Sequence, residues 1–423
     1  MRKKLLKIKE LIKKITPNFI LDIYFLSKSI VANIIYGFPY RWLIFIWVTW
    51  TDGKTTTNEL IYHILKSAWK KVWIMSTHSY DLWVWQYTND TKMTTNSHII
   101  IQKNLKEMRK NWVKYVVLEP SSHWIYQFRF WPIKFKCVSI TNLTNEHLDF
   151  HKTMYKYFRT KAKLFKYVSK DSIWIIPKTF KYNKELKNIS KTSKIWEFDK
   201  TQKCDLFAED IKQKPELKLK LNIFWEKINL ETKMIWDFNI DNILIALWIT
   251  RFLWLTKKEI KKAVENFSTV PGRQEIIKSD KWIDFIIDFA LTPNSSECLY
   301  KAIKQLWYKR QIALFWSCGW RYKDKRPIMW EIAEKNNDLV ILTEDENYEE
   351  NWMDIIKDIA SWFKDKKNYK IIQDRKMAIE YAFKKWKKWD VIVLAWMGSF
   401  NSRQMWDNNI PWNEKEVVKK LIK

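Results

Sequence analysis

Residues 47–57 read W-V-T-W-T-D-G-K-T-T-T, the end of an apolar β-rich run followed by Gly53-Lys54-Thr55 and more threonine. A glycine-lysine-threonine turn between a strand and a helix suits phosphate: backbone N–H groups point at its oxygens, Lys54 adds a positive charge, and the Thr55 hydroxyl can sit on Mg²⁺. Trp50, Thr51, Asp52, Gly53, Lys54, Thr55 and Thr56 are therefore candidate contacts to a nucleotide, with Lys54 also a candidate catalytic group and Thr55 a candidate metal ligand. Such a turn wants glycine where the backbone nears phosphate. The residues three and six places before Gly53 are Trp50 and Trp47.

Composition bears on that oddity. The chain has 423 residues with 5 Gly and 28 Trp, whereas glycine at about 7% of residues would give roughly 30. Tryptophan also recurs where turns and helix ends want glycine, in Ala68-Trp69-Lys70, Asn111-Trp112-Val113 and Lys388-Trp389-Asp390. The expectation is a gene that reads UGA as glycine, its product written here with UGA as tryptophan. Codons that prove to be mostly UGG would end that reading.

Lys+Arg 76 against Asp+Glu 47 gives a net charge of +29, which would suit nucleic acid or an anionic membrane surface. The charge is spread over the whole chain, which is also rich in Ile and Asn, so genome bias accounts for it and no specific nucleic-acid partner is expected. Cys137, Cys204, Cys298 and Cys318 form no Cys-x-x-Cys pair, which argues against zinc and for a reducing, cytoplasmic compartment. The N-terminal M-R-K-K-L-L-K-I-K-E-L-I-K-K-I lacks a signal-peptide core, and Asp22 and Lys28 interrupt the apolar run at 19–38, so no spanning helix is expected. A basic amphipathic arm of this kind suits peripheral contact with a membrane.

The elements that must position these residues alternate between strand and helix. Strand-like runs at 43–49, 71–77, 115–119 and 137–142 alternate with helical ones such as 57–67, and a lysine-rich stretch at 170–232 predicts a small β subregion. Helices at 239–248 and 257–266 precede Pro271-Gly272-Arg273, after which a second series begins, with strands near 282–290, 311–317, 339–343, 369–372 and 391–395. This predicts an α/β protein: a helical arm at 1–40, a central parallel-sheet ATP-binding domain at 41–270, and a Rossmann-like α/β domain at 271–423.

Glycine positions at three-residue steps before Lys-Thr-Thr resemble the Mur ligases, the ATP-dependent amide-forming enzymes of peptidoglycan synthesis. Further stretches follow in family order: V-V-L-E-P-S-S-H-W-I-Y-Q-F-R, T-N-L-T-N-E-H-L-D-F-H, Y-F-R-T-K-A-K-L-F, F-N-I-D-N, P-G-R-Q-E, D-F-A-L-T-P, S-C-G-W-R-Y-K-D-K-R-P, D-R-K-M-A-I and A-W-M-G-S. They are most similar to the branch that adds the third peptide residue, the UDP-N-acetylmuramoyl-tripeptide synthetases.

The resemblance implies a P-loop-type central domain, ATP and Mg²⁺, and a carboxylate that is phosphorylated and then attacked by an amine. It implies Mg²⁺ ligation by Thr55, Glu119, His147 and a carbamylated Lys161, with Lys54, Lys161 and His147 catalytic. Asn239 and Asn242 would meet adenine, Arg273 and Asp288 the phosphates and ribose. Thr94, Thr95, Ser121, Gln127 and Arg129 would hold a UDP-N-acetylmuramoyl-dipeptide, and the enzyme would be a monomer. Taken alone, Glu119 reads as a satisfied strand-end carboxylate, His147 as structural and Lys161 as one solvated lysine among many.

The chain departs from the family on the amine-acceptor side. Tyr348 stands where the diaminopimelate-reading arginine would be, Leu291 replaces a histidine, and Trp396-Met397-Gly398-Ser399-Phe400 replaces Gly-Lys-Gly-His-Glu. The acceptor amino acid is therefore open, as is recognition of the uridine end, since only about 40 residues precede the phosphate loop. A folylpolyglutamate-synthetase-like ligase and a non-catalytic basic binding protein are the alternatives. The S-S-H…Q-x-R stretch argues against the first, and Lys54, Thr55, Glu119, His147 and Lys161 together argue against the second.

Overall fold

The structure, a computed structural model, describes residues 16–49, 51–81, 86–88, 96–120, 122–143, 151, 153–189, 194–214, 216–223, 226–316, 325–347, 350–362, 368–405 and 408–423. The candidate residues Trp50, Thr94, Thr95, Ser121 and His147, and also Cys318 and Tyr348, lie outside them.

The chain enters through helix α1 (Asn18–Tyr36) and continues as β1 (Ile44–Thr49), α2 (Lys54–Ser67), β2 (Val72–Met75), β3 (Ser79–Asp81), β4 (Gln86–Thr88), α3 (His98–Lys110), β5 (Tyr115–Leu118), α4 (Ser122–Tyr126) and β6 (Phe135–Ile140). Then come α5 (Met154–Ala162), β7 (Val168–Pro177), α6 (Asn183–Ile189), β8 (Lys194–Asp199), β9 (Leu206–Lys214), β10 (Glu216–Ile223), β11 (Glu226–Thr232), α7 (Asn239–Phe252) and α8 (Lys257–Asn266). These strands form one sheet in the order β11-β10-β9-β8-β7-β6-β1-β5-β2-β3-β4. Its centre is parallel, with β1 between β5 and β6, while antiparallel pairs extend it at both edges.

Alternation along β1 divides the core. Ile46 and Val48 join a cluster with Leu60, Ile64, Ile243 and Leu247 of α2 and α7; Phe45 and Trp47 face the other side, with Ile101 and Leu105 of α3. A strand buried on both faces reads as a continuous apolar run, which is why 43–49 showed no period-two pattern. The lysine-rich stretch does alternate: Leu217, Leu219 and Leu221 of β10 are buried while Lys218 and Lys220 between them are exposed. It extends the main sheet and forms no separate subregion.

The second half carries β12 (Glu275–Ile277), β13 (Ile283–Asp288), α9 (Pro293–Lys304), β14 (Arg310–Phe315), α10 (Lys325–Asn336), β15 (Leu339–Leu342), α11 (Trp352–Ala360), β16 (Tyr369–Ile371), α12 (Arg375–Lys384) and β17 (Asp390–Ala395). A hairpin of β18 (Ser402–Met405) and β19 (Asn408–Pro411) and the helix α13 (Glu414–Ile422) follow. The sheet order β12-β13-β17-β14-β15-β16 is parallel except at β12, with helices packed on both faces, as the second alternating series predicts.

Tryptophan occupies glycine's conformation repeatedly. Helix α1 ends with Gly37 at φ 69°, Gly37 N–H donating to Ile34 and Phe38 N–H to Asn33. This pair of bonds is the Schellman ending, whose left-handed residue is usually glycine. Helices α2, α3 and α7 end with the same two bonds, but the left-handed residue is Trp69 (φ 55°), Trp112 (φ 58°) and Trp254 (φ 70°). Trp282, Trp389 and Trp396 also have positive φ. Burial tells the same story, since the indole N–H groups of Trp47, Trp124, Trp174 and Trp316 are enclosed with no acceptor among the described residues. Buried polar groups are normally paired.

Candidate functional site

The phosphate loop lies at the carboxyl end of β1, where open α/β sheets place their ligands. Gly53 has φ 79°, and a Cβ there would stand 2.5 Å from Asn242 Oδ1, so both conformation and contact require glycine. Lys54 opens α2 and its Nζ donates to the Thr51 carbonyl at 2.5 Å. Asp52 N–H donates to Asn142 Oδ1. Thr56 is buried on the first turn of α2.

Glu119 follows β5, only 2% exposed. Thr55 Oγ1 donates to it at 3.0 Å, and the Thr77 backbone N–H and hydroxyl reach its two carboxylate oxygens at 3.0 Å. A buried carboxylate and a hydroxyl in contact make an all-oxygen donor pair, suited to a hard cation that keeps waters and phosphate oxygens as its other ligands. Among the described residues no group of three His, Cys, Asp or Glu could hold a metal by itself. Lys161 is buried on α5, its Nζ 4.9 Å from the Tyr157 ring centroid, and not solvated as its sequence neighbourhood implied.

The nucleoside-side candidates converge as well. Asn242 Nδ2 donates to Asn239 Oδ1 at 3.0 Å, and Thr57 Oγ1 donates to Asn242 Oδ1 at 3.0 Å. Asn239 Nδ2 reaches Gln274 Oε1, and Gln274 N–H donates to Asp288 Oδ2 at 2.8 Å. Burial pushes the Asp288 carboxyl up to about 6 although Arg273 pulls the other way. Arg273 lies over the Phe289 ring at 4.2 Å and points Nη2 at Thr55 Oγ1, 3.4 Å away. Burial lowers the pKa of its guanidinium, opposed by Asp288 and Glu119.

Contacts from the second half close over the loop. Thr292 Oγ1 and Asn294 Nδ2 donate to the two Asp52 carboxylate oxygens at 3.0 and 3.1 Å. His78 Nδ1 and Ser399 Oγ lie 2.9 Å apart. Gly272 backs onto the 396–400 loop so closely that a Cβ would meet Ser399 N at 2.1 Å. Thr77, His78, Arg273, Phe289, Met397, Ser399 and Phe400 line a small cleft beside Glu119. Thr77, Asn142, Gln274 and Thr292 were not among the expected residues, because ordinary polar side chains acquire a role only through partners far away in sequence.

Of the residues expected to hold the dipeptide, Arg129 Nε and Nη2 both donate to Gln127 Oε1, and Nη1 donates to the Asn96 carbonyl. The pair is thus preformed, apart from the Glu119 cluster. Cys137, Cys204 and Cys298 are free thiols.

His78 gives a pH prediction. Burial, with Arg273 adding to it, lowers its pKa from 6.5 to about 4. Between these values the unfolded chain binds a proton that the folded one refuses, so this contribution to stability is complete above about 6.5 and fades as pH falls towards 4. Thermal unfolding of wild type and His78→Gln across pH 4–8 should show a smaller acid loss in the variant; parallel curves would refute it.

Two family models match the chain, the Mur ligase middle domain over residues 48–250 and the Mur ligase glutamate ligase domain over 272–399. The UDP-N-acetylmuramoyl-L-alanyl-D-glutamate–2,6-diaminopimelate ligase 1 of Clostridium acetobutylicum is 36% identical over 408 residues, 94% of this chain and 82% of that one. The UDP-N-acetylmuramyl-tripeptide synthetase of Borreliella burgdorferi is 31% identical over 405 residues, 92% and 78% of the two chains. The folylpolyglutamate synthase of Mycobacterium tuberculosis, solved with ADP and AMPPCP, superposes with a TM-score of 0.73 at 13% identity, over 92% of this chain and 95% of that one, a likeness of fold alone. With the phosphate loop, the Glu119 cluster and the closing contacts of the second half in place, this chain belongs to the Mur ligase family of ATP-dependent peptidoglycan-precursor ligases.

Proposed function

We propose that the chain joins an amino acid to the free carboxylate of a UDP-N-acetylmuramoyl-dipeptide. ATP phosphorylates the carboxylate, releasing ADP; the neutral amine then attacks the acyl carbon, the C–N bond forms, the C–O bond breaks with its electron pair going to the departing phosphate, and the amine nitrogen gives up a proton. The observation that carries this reading is the Thr55–Glu119–Thr77–Arg273 cluster, whose Thr77 and Arg273 line one small cleft with Met397, Ser399 and Phe400. Thr55, on the first turn after the phosphate loop, is thus tied through Glu119 and Arg273 to a cleft bordered by the 396–400 loop, the kind of shelter a water-sensitive acyl phosphate needs.

Within this reading residues 51–56 and residue 50 cradle the phosphates, with the Lys54 ammonium on the transferring group. Asn239 and Asn242 meet adenine, and Arg273 and Asp288 serve phosphate and ribose. Thr55, Glu119, His147 and a carbamylated Lys161 would hold Mg²⁺, whose charge offsets that of the β- and γ-phosphates when bound. Thr94, Thr95, Ser121, Gln127 and Arg129 hold the muramoyl dipeptide. The division at 40/41 and 270/271, a monomeric state and a cytoplasmic location belong to the same proposal. Tyr348 offers no guanidinium to a second carboxylate, which favours lysine or another amine over diaminopimelate.

The test is ADP formation and product mass with ATP, UDP-N-acetylmuramoyl-dipeptide and a panel of amino acids, with a folate and glutamate as a separate arm. Amino-acid-dependent product in the first arm is expected, and turnover only in the second would replace the reading. Lys54→Ala should lower kcat/KM by about 10²–10³, the usual loss on removing one preorganised charge from transferring phosphate.

A further inference from the structure

Helix α1 is apolar on its outer side as well as its inner one. Its exposed residues include Phe19, Ile20, Ile23, Tyr24, Val31, Ile34 and Ile35, which at 100° per residue fall within one apolar half of the helix. Its inward side sets two hydrogen-bonding side chains, Ser29 and Asn33, beside the buried Phe25 and Ala32. Ser29 Oγ donates to the Phe128 carbonyl, and Asn33 Nδ2 to the carbonyls of Ser29 and Trp131. A surface helix of a soluble domain normally turns a polar face outward, and contiguous apolar surface of this kind marks an interaction site.

What covers that face is indicated by charge. The preceding residues 1–15 contain Arg2, Lys3, Lys4, Lys7, Lys9, Lys13 and Lys14 against the single Glu10. Helix α3 packs beside α1, with Lys106 Nζ 6.0 Å from the Tyr36 ring centroid. It exposes Ile99 and Ile100 at one end and Lys103, Lys106, Arg109 and Lys110 along its length. Lys28 at the middle of α1 and Arg41 five residues beyond its end are exposed as well. Apolar side chains ringed by cations, with a cationic segment leading in, complement an anionic bilayer: rings and branched chains enter the headgroup boundary and ammonium groups meet lipid phosphates.

We infer that the outer face of α1, with the basic segment before it, docks this ligase on an anionic membrane surface. The helix lies in the interface. By length and composition alone it could cross a bilayer, yet Ser29, Asn33 and the Phe25 ring, set edge-on to Tyr126, tie its other face to the protein. The inference does not depend on which amino acid is ligated, because none of these residues belongs to the nucleotide cluster.

Flotation of the full chain with phosphatidylglycerol-containing and pure phosphatidylcholine vesicles tests it. Binding is expected to the first, at least tenfold weaker to the second, and to fall as salt rises. Combined Phe19→Ser, Ile23→Ser and Ile34→Ser should cut binding at least tenfold with an unchanged unfolding midpoint and unchanged ATP turnover in solution, since all three side chains are exposed. Lys3→Gln, Lys4→Gln and Lys7→Gln should remove the preference for anionic lipid. Equal binding by the serine variant, no vesicle binding with concentration-dependent self-association instead, or retention on vesicles through alkaline carbonate washing would each overturn the inference.

Discussion

Protein carrying glycine at positions 47, 50, 69, 112, 254, 282, 389 and 396 is expected to bind ATP and to unfold at a higher temperature than the chain with tryptophan at all eight. Six of these positions hold left-handed backbone, which costs an L-residue with a side chain about 1–2 kcal/mol each. The sum, roughly 6–12 kcal/mol, is comparable to the whole stability of an ordinary domain, about 5–15 kcal/mol. Three of the six, Trp69, Trp112 and Trp254, are at least 80% exposed, so their rings recover little of this by packing. Position 50 is three residues before Gly53, where the sequence pattern of a phosphate loop calls for glycine.

The sign of the effect at position 47 separates the two readings. Trp47 is 1% exposed, against Phe135 with ring centroids 4.4 Å apart. In a natively tryptophan-rich protein Trp47→Gly would leave a cavity and cost at least about 3–5 kcal/mol. In a glycine-built protein it frees an enclosed, unpaired N–H and restores the approach of β1 to its neighbours. Calorimetric ATP binding and unfolding midpoints of the two proteins decide function. Peptide masses of the protein from its own cells decide identity, and a tryptophan mass at residue 69 would refute the glycine reading outright.

What the sequence disclosed and what it hid divide along physical lines. The step from β1 through Gly53 to α2 was legible because strand, left-handed turn and helix start are local signals. Glu119 and the Asn239–Asn242 pair were legible only by resemblance: their meaning lies in contacts to Thr55, Thr77 and Thr57 that no local pattern announces. The bonds from Thr292 and Asn294 to Asp52 span some 240 residues and arise only when the second half closes over the first. Helix α1 shows a different failure. The run at 19–38 read only as apolar, and which side faces the protein is set by distant partners: the carbonyls of Phe128 and Trp131 hold Ser29 and Asn33 inward, leaving Ile23, Ile34 and Ile35 outside.

Arg273→Ala is expected to lower kcat by about 10²–10³ while weakening ATP binding far less, in line with loss of one preorganised donor at the transferring group. The guanidinium follows the Pro271-Gly272 turn, stacks on Phe289, donates to the Phe289 carbonyl at 3.3 Å and points at Thr55, the residue that also touches Glu119. It is placed to meet phosphate only while the second half is closed, so its loss should fall on turnover more than on first binding. Arg273→Lys should not restore the rate, because an ammonium cannot stack and fork at once. One structural objection can be met directly. Removing the cation leaves Asp288, already pushed up to about 6 by burial, without its opposing charge, so part of any loss could come from a weakened fold. Adding Asp288→Asn removes that burden, with Asp288→Asn alone as the reference because Asp288 is itself proposed to meet the nucleotide: the double variant should regain the unfolding midpoint and keep a kcat about 10²–10³ below that single variant. A double variant that recovered turnover along with stability would show that Arg273 acts by holding the fold and has no part in the chemistry.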